Sequence, residues 1–598
     1  MKNKHSLKLS VIALAITSLL VTSCDLFPSF SSITSKSSNI ISSIASDTSI
    51  SYSSPSSSTS QAESFTSNQG SLSNDSSSNS ISSTNPNITR IVDLFASNDF
   101  HGAIKPAGYE MGAIKNFTYL KQKGTSPNTV VMGSGDFFQG SIESNYNRGA
   151  LITELMMEAN FTAYVLGNHD FDWGSSYIAR NRNLTPQVSS ATRKIPFLGA
   201  NIHEFDIATK TVGDFADELC EPYTTKILEN GLKVGIIGTI GADQITSIVA
   251  KYADPYTFLE PATYVKKYSD ELREAGCDVV IWNNHASMAD TISSTRNYDL
   301  TQLSPVSGER YVDAVFCSHS HAFESNKING VPVVQAGNNG RGIARVTLSV
   351  SPNGSVFCDL YTTYYTSDLL SSLADDSVVK QIVDHYGNET TPIANKVIGT
   401  SNGVFARNNS SGGATVPNLV VAAAADFINK SASLNNLGIT AVISNLARDD
   451  LPSGNITYSN LFKSIPFDNN ILIMNVKGSD IIKEIQYKSG SSYANSTYLF
   501  DTNQKYNTNV FYRIAVLDYV GTHRNISRNY DYFSSLSSGG GVLGSINAQG
   551  GMSLNNEVNE FNYRDITEKY IESLPNKQLN TANYIYNTGN FNVDNISI

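Results

Sequence analysis

Between Arg90 and about Thr366 the chain keeps returning to short apolar runs, many of them β-branched, and this recurrence limits its fold more than any other feature. The runs are Ile91–Ala96, Thr129–Met132, Ala163–Leu166, Val234–Ile237, Val279–Trp282, Val312–Phe316 and Val331–Val334. Helix-like segments such as Leu151–Asn160 and Tyr264–Ala275 lie between them. Strands alternating with helices predict a layered α/β domain. Six of the runs pass at once into polar or glycine-rich residues. That places a site in the loops beyond the strand ends.

The residues at those ends are chemically alike. Asp99-Phe100-His101 follows the first run, Gly135-Asp136 the second and Asn168-His169 the third. Asn284-His285 follows Val279–Trp282, and His319-Ser320-His321 follows Val312–Phe316. The densest stretch is Gly167–Asp172: a flexible glycine, an amide, an imidazole and two carboxylates. In extended backbone, residues i and i+2 share a face, so Asp99 with His101, and His319 with His321, are expected to aim at common points. Imidazole with carboxylate suits zinc, manganese, iron or cobalt. Seven ligands of this kind exceed one tetrahedral centre and suit two ions sharing a carboxylate. Each motif alone is commonplace, since Asp-x-His is usually a turn or a surface pair. Together they are not. Of nine histidines five stand at these ends, whereas His5, His203, His385 and His523 have no such context.

Composition sets the boundaries. A chain of 598 residues is too long for one core, so two or more domains are expected. The formal charge of −11 argues against a partner that is a nucleic-acid polymer. It leaves a small anionic substrate open, because a metal reverses the local sign. Five cysteines without C-x-x-C spacing suggest neither a disulfide scaffold nor a thiolate zinc site. Residues 1–24 read as a secretory signal, with Lys2, Lys4 and Lys8 before a short apolar core, Leu9 to Val21. It ends in Val21-Thr22-Ser23-Cys24, which resembles a bacterial lipobox and makes Cys24 the candidate lipidated residue. Serine fills 27 of the 64 positions in 25–88, so this segment is expected to be a tether of roughly 45 Å. The expected location is the extracytoplasmic face of the cell membrane, held by that lipid. No protein partner is signalled.

The order Asp-x-His, Gly-Asp, Gly-Asn-His-Asp, His, Ser-His-x-His resembles the calcineurin-like metallophosphoesterases. Within them it is most similar to the secreted 5'-nucleotidase, UDP-sugar hydrolase and 2',3'-cyclic-nucleotide phosphodiesterase group. The resemblance implies a four-layered β-sandwich flanked by helices over 89–366. It implies Asp99, His101 and His321 on one divalent ion, such as zinc or manganese. Asn168, His285 and His319 would hold a second, with Asp136 bridging both. Ser318 stands where the family usually has glycine. His169, oriented by Asp172, would face the phosphate, and an imidazole beside a carboxylate is expected to stay cationic more readily.

Residues 367–395 have helical spacing and suggest a linker helix or hinge. From 396 to 598 a second α+β region resembles the family's substrate-binding domain. It offers a helix at Pro417–Asn429 and strands near Ala441–Ser444, Ile471–Val476 and Arg513–Tyr519. Arg448 remains where the family has a glycine-rich loop ending in arginine, although Ser444, Asn445, Leu446 and Ala447 replace the glycines. Ile465-Pro466-Phe467-Asp468-Asn469 matches well, and Phe467 with Tyr519 would clamp a base, Asn469 lying beside them. Arg407 is a candidate second arginine on the phosphate. The implied substrate is a small nucleotide, hydrolysed by metal-activated water to nucleoside and phosphate. A nucleotide sugar or cyclic nucleotide is the alternative within the enzyme class. A surface-binding lipoprotein that keeps the fold is the alternative outside it.

Overall fold

The computed structural model describes residues 88–585, apart from 293–302, 305, 409–412, 446, 487, 490–491, 494, 526–529, 532, 534–535, 537–538 and 555–560. The expected signal with Cys24, and all of the expected tether but residue 88, lie outside the described residues.

Two six-stranded sheets form the centre of the N-terminal lobe. The first runs Val356–Tyr365, Gly342–Val350, Arg90–Ser97, Thr129–Gly133, Ala163–Val165, Phe197–Leu198. The second runs Phe323–Ile328, Val331–Ala336, Ala314–Phe316, Val279–His285, Lys233–Ile240, Tyr223–Ile227. Val92, Leu94, Val130, Met132 and Val165 of the first meet Val234, Ile236, Ile281 and Phe316 of the second in one buried cluster. Helices Gly112–Gly124, Ala150–Glu158 and Ser377–Ala394 cover the first sheet's other face, and Pro261–Glu274 covers the second's. The lobe is therefore four layers deep, as expected. Its central strands pair in parallel and are buried on both faces, which is why they read as unbroken apolar runs. Parallel pairing also brings their C-terminal ends to one edge.

The C-terminal lobe has its own sheet, ordered Ser496–Leu499, Ile439–Ser444, Phe511–Leu517, Ile471–Lys477, Gly541–Ile546, Met552–Ser553. It shares one core with helices Val416–Lys430 and Tyr563–Ser573.

Three expectations shift. Tyr519 stands in a short helix, Asp518–Thr522, because the strand before it ends at Leu517. His285 is the last residue of its strand instead of following it. The segment 367–395 resolves into Thr366–Leu370 and a long helix, Ser377–Ala394. Asp376 caps that helix by accepting from Val378 N and Val379 N, and Lys121 pairs with the same carboxylate at 2.8 Å. Its Val379, Ile382 and Tyr386 are buried in the N-terminal lobe's core. The helix packs into that lobe along these three residues, and its last residue, Ala394, is buried with Phe462 of the C-terminal lobe.

Candidate metal centre

The strand ends converge, but not by extended alternation. Asp99 and His101 both have φ +47°, Asp136 +57°, His319 +70° and His321 +60°. Non-glycine residues in this region each carry about 1–3 kcal/mol of strain, and such strain gathers at functional sites. Asp99 and His101 converge because their strand end breaks into a left-handed turn; the same kind of turn sends His319 and His321 to different points, against the expectation that the two share one. The outcome is two clusters. Asp99, His101 and His321 bring one ligand atom each within 4.8 Å of one another, and Asp136, His285 and His319 do the same.

The donor set fits cations. The His101 Nδ1 faces the Gln139 carbonyl at 3.2 Å, and the His285 Nδ1 faces the Ser134 carbonyl at 2.9 Å. Each ring donates there, which leaves its Nε2 lone pair for the site. That bare His285 nitrogen then stands 3.2 Å from both Asp136 Oδ2 and Asn168 Oδ1. Likewise His101 Nε2 and His321 Nε2 face each other at 3.1 Å, a spacing natural for two nitrogens about 2.0–2.1 Å from one ion. Around His285, lone pairs set against lone pairs in a buried place call for positive charge between them; at His321 the Asn338 Nδ2 lies 3.1 Å from Nδ1, so without an ion that ring donates from Nε2 to His101. Asp99 Oδ1 is buried without a hydrogen-bond partner, a lone acceptor that suits a cation. Burial lowers His101 and His319 well below the ordinary imidazole value, His321 and His285 respectively adding to the effect, so both offer neutral nitrogen. Burial opposes ionisation of Asp136, yet His285, His169 and His101 hold its carboxyl well below the usual range. Burial likewise depresses His285, but Asp136 outweighs it and raises that ring to about 9, the same demand for positive charge.

Several supporting residues had gone unread in the sequence. Asn98 donates to Asp99 Oδ2 at 2.7 Å and to the Gly337 carbonyl at 2.6 Å, while accepting from Ala336 N. The amide of Gln335 runs beneath the His-x-His turn; oriented with its oxygen inward, it accepts from His321 N and Ala322 N at 3.1 and 2.8 Å. A single buried amide in Val331–Ala336 was the signal available for it. The hydroxyl of Ser318, in the family's glycine position, lies 3.0 Å from His285 Nδ1. Tyr164 donates to both Asp170 oxygens, at 2.8 and 2.7 Å, and accepts from Phe137 N, so Asp170 braces the loop from below.

His169 and Asp172 meet at 2.9 Å through Nδ1 and Oδ2. From the other lobe Arg448 brings Nη2 to 2.8 Å from His169 Nε2. A guanidinium only donates. The ring therefore accepts at Nε2 and keeps its proton on Nδ1, towards Asp172. In this arrangement Arg448 and Asp172 give the ring's two nitrogens opposite roles. Phe467 stacks on the same ring, with centroids 5.4 Å apart and planes at 26°, and the Arg448 guanidinium lies 5.0 Å from the Phe467 centroid. Arg407 sits behind, its Nη1 3.4 Å from the Arg448 carbonyl. Asn469 is buried, and its amide donates to Asp518 Oδ1 at 2.6 Å. The same oxygen accepts from Tyr519 N, and the Tyr519 ring meets His523 edge-on at 5.2 Å. Leu446 and Cys24 lie outside the described residues.

Paired clusters, one buried and one half-buried, at the strand ends of a four-layered sandwich faced by a second lobe define a two-domain metallophosphoesterase fold. Residues 95–323 match the calcineurin-like phosphoesterase family, and residues 397–533 match the 5'-nucleotidase C-terminal domain. The chain thus carries a calcineurin-like phosphoesterase domain followed by a 5'-nucleotidase C-terminal domain. It is 24% identical over 455 residues to the cell wall protein Lmo0130 of Listeria monocytogenes, a match covering 67% of this chain and 57% of that protein. It is 25% identical over 311 residues to a 2',3'-cyclic-nucleotide 2'-phosphodiesterase/3'-nucleotidase of Salmonella typhimurium, covering 46% of this chain and 45% of that one. The chain thus spans about half the length of these relatives. The crystal structure of a 5'-nucleotidase precursor from Thermus thermophilus shares the fold, with TM-score 0.58, 18% identity and coverage of 82% of this chain and 99% of that one.

Proposed function

We propose that the chain is an extracytoplasmic phosphoesterase that hydrolyses nucleotides to nucleoside and phosphate with two divalent ions. One observation carries the reading. Arg448 and Phe467 of the second lobe close directly on His169, beside two clusters of buried and half-buried nitrogen and carboxylate ligands.

Asp99, His101 and His321 would hold one ion, Asn168, His285 and His319 the other, and Asp136 both. When bound, such ions supply an activated water and a clamp on the phosphoryl oxygens. Asp172 fixes the His169 tautomer and ring direction. Arg448 then presents its guanidinium donors towards an arriving phosphate. A phosphate that takes the guanidinium frees His169 Nε2 to hold a proton for the leaving oxygen. Phe467 supplies a flat apolar face for a base, with Tyr519 as the second ring. Asn469 supports both through Asp518. The lipobox-like end at Cys24 and a relative named as a cell wall protein support a surface-anchored enzyme.

The substrate test compares phosphate release from AMP and ribose 5-phosphate with nucleoside monophosphate formation from a UDP-sugar and a 2',3'-cyclic nucleotide. AMP is expected to lead. Phe467→Ala is expected to lower kcat/KM on AMP by about ten- to a hundredfold, in line with loss of one stacking contact, and to spare ribose 5-phosphate. Equal losses on both would remove the base from the role of Phe467. A faster rate on the cyclic nucleotide would favour the alternative raised by the Salmonella relative's name.

A further inference from the structure

We propose that Arg148 is a positioning residue for this reaction: it ties the segment bearing Phe467 to the catalytic lobe and so sets where that ring stands over His169. The inference rests on the phosphoesterase reading. Arg148 lies in the turn between Ile142–Asn145 and Ala150–Glu158. Its backbone is left-handed, φ +54°, and its carbonyl accepts from Arg180 Nη2 at 2.7 Å and Asn181 Nδ2 at 2.9 Å. The turn therefore holds a strained residue in place from behind. In front, the guanidinium lies 5.4 Å from the Trp173 ring centroid and 5.8 Å from that of Tyr177, and it pairs with Asp468 of the other lobe.

The sequence positions give this pair its meaning. Trp173 directly follows Asp172, and Asp468 directly follows Phe467. One ion pair thus joins the two segments a single residue away from the His169 partner and from the ring stacked on His169. The far side of the joint is rigid too. Arg564, 4% exposed, holds Asp468 Oδ1 at 2.6 Å and donates to the Ile465 and Phe467 carbonyls at 3.0 and 2.9 Å. Asn145 adds a donation to the Pro466 carbonyl at 3.2 Å. An exposed pair between two mobile side chains would count for little. Here the Arg148 and Asp468 side chains are 34% and 24% exposed, with aromatic rings against one partner and a second arginine against the other.

Arg148→Ala and Arg148→Lys test the idea, each with two readouts. The Ala variant is expected to lose about tenfold in kcat/KM on AMP and much less on ribose 5-phosphate, which has no base to place. Its melting temperature should stay near the wild type's, and Lys should recover most of the loss. Independently of turnover, amide hydrogen exchange over 464–470 is expected to speed up in Ala and return in Lys. A wild type that releases phosphate from no substrate overturns the phosphoesterase reading. An active wild type whose Ala variant keeps full kcat/KM on AMP, or unchanged exchange over 464–470, overturns the role of Arg148 alone.

Discussion

His169 is touched from three sides: Asp172 at Nδ1, Arg448 at Nε2 and Phe467 on its face. Its neighbour Asn168 points instead at the metal cluster, with Oδ1 3.2 Å from His285 Nε2. Two adjacent residues therefore serve different parts of the site. His169→Ala is expected to lower kcat by about a hundredfold or more, the scale of a lost acid or base. Elemental analysis should still find about two ions per chain, since no ligand has been removed. Loss of an ion along with the activity would make His169 a ligand. The residue types were legible in the sequence because five of nine histidines crowd the strand ends. What Arg448 does to the ring was not, since it depends on a contact 279 residues away in the chain.

At the level of elements, the apolar runs were readable because the central strands are buried on both faces. The edge strand Val356–Tyr365 was missed because its faces are half exposed and its residues mixed. The left-handed turns were equally hidden, since Asp and His carry no mark of a positive φ. Gly167 shows the reverse error. The sequence suggests a glycine kept for flexibility, yet φ −105° and ψ 177° are open to any residue. Space is what excludes a side chain. A Cβ there would press into the Asp136 carboxylate and stand 2.7 Å from both Asp136 N and His285 Cε1. Gly167→Ala is therefore expected to displace Asp136, reduce bound metal at the site shared by Asp136 and His285, and destabilise the protein by about 1–3 kcal/mol. Metal analysis with thermal melts checks this; an unchanged ion count would show that the loop yields freely.

Across the whole molecule, function depends on two lobes with separate cores meeting over one site. Arg448 on His169, Arg148 with Asp468, and Lys251 3.5 Å from Asp518 cross that boundary. The last two were not legible, because each side chain alone reads as an ordinary surface charge; Arg448 was marked by the resemblance, but its contact with His169 was not. The four-layered lobe, by contrast, could be expected from pattern and resemblance together. No helix among the described residues is long and apolar enough to cross a membrane. The central claim is that the clusters hold ions that act on a phosphoester, and phosphate release from AMP tests it most directly. Protein stripped by chelator should release none, and manganese or zinc should restore release. Asp136→Asn, which keeps the shape but removes the charge proposed to bridge the ions, should remain at least about a thousandfold slower than wild type under the same loading. Full activity in Asp136→Asn, or no phosphate from metal-loaded wild type on any nucleoside mono-, di- or cyclic phosphate, would contradict the account.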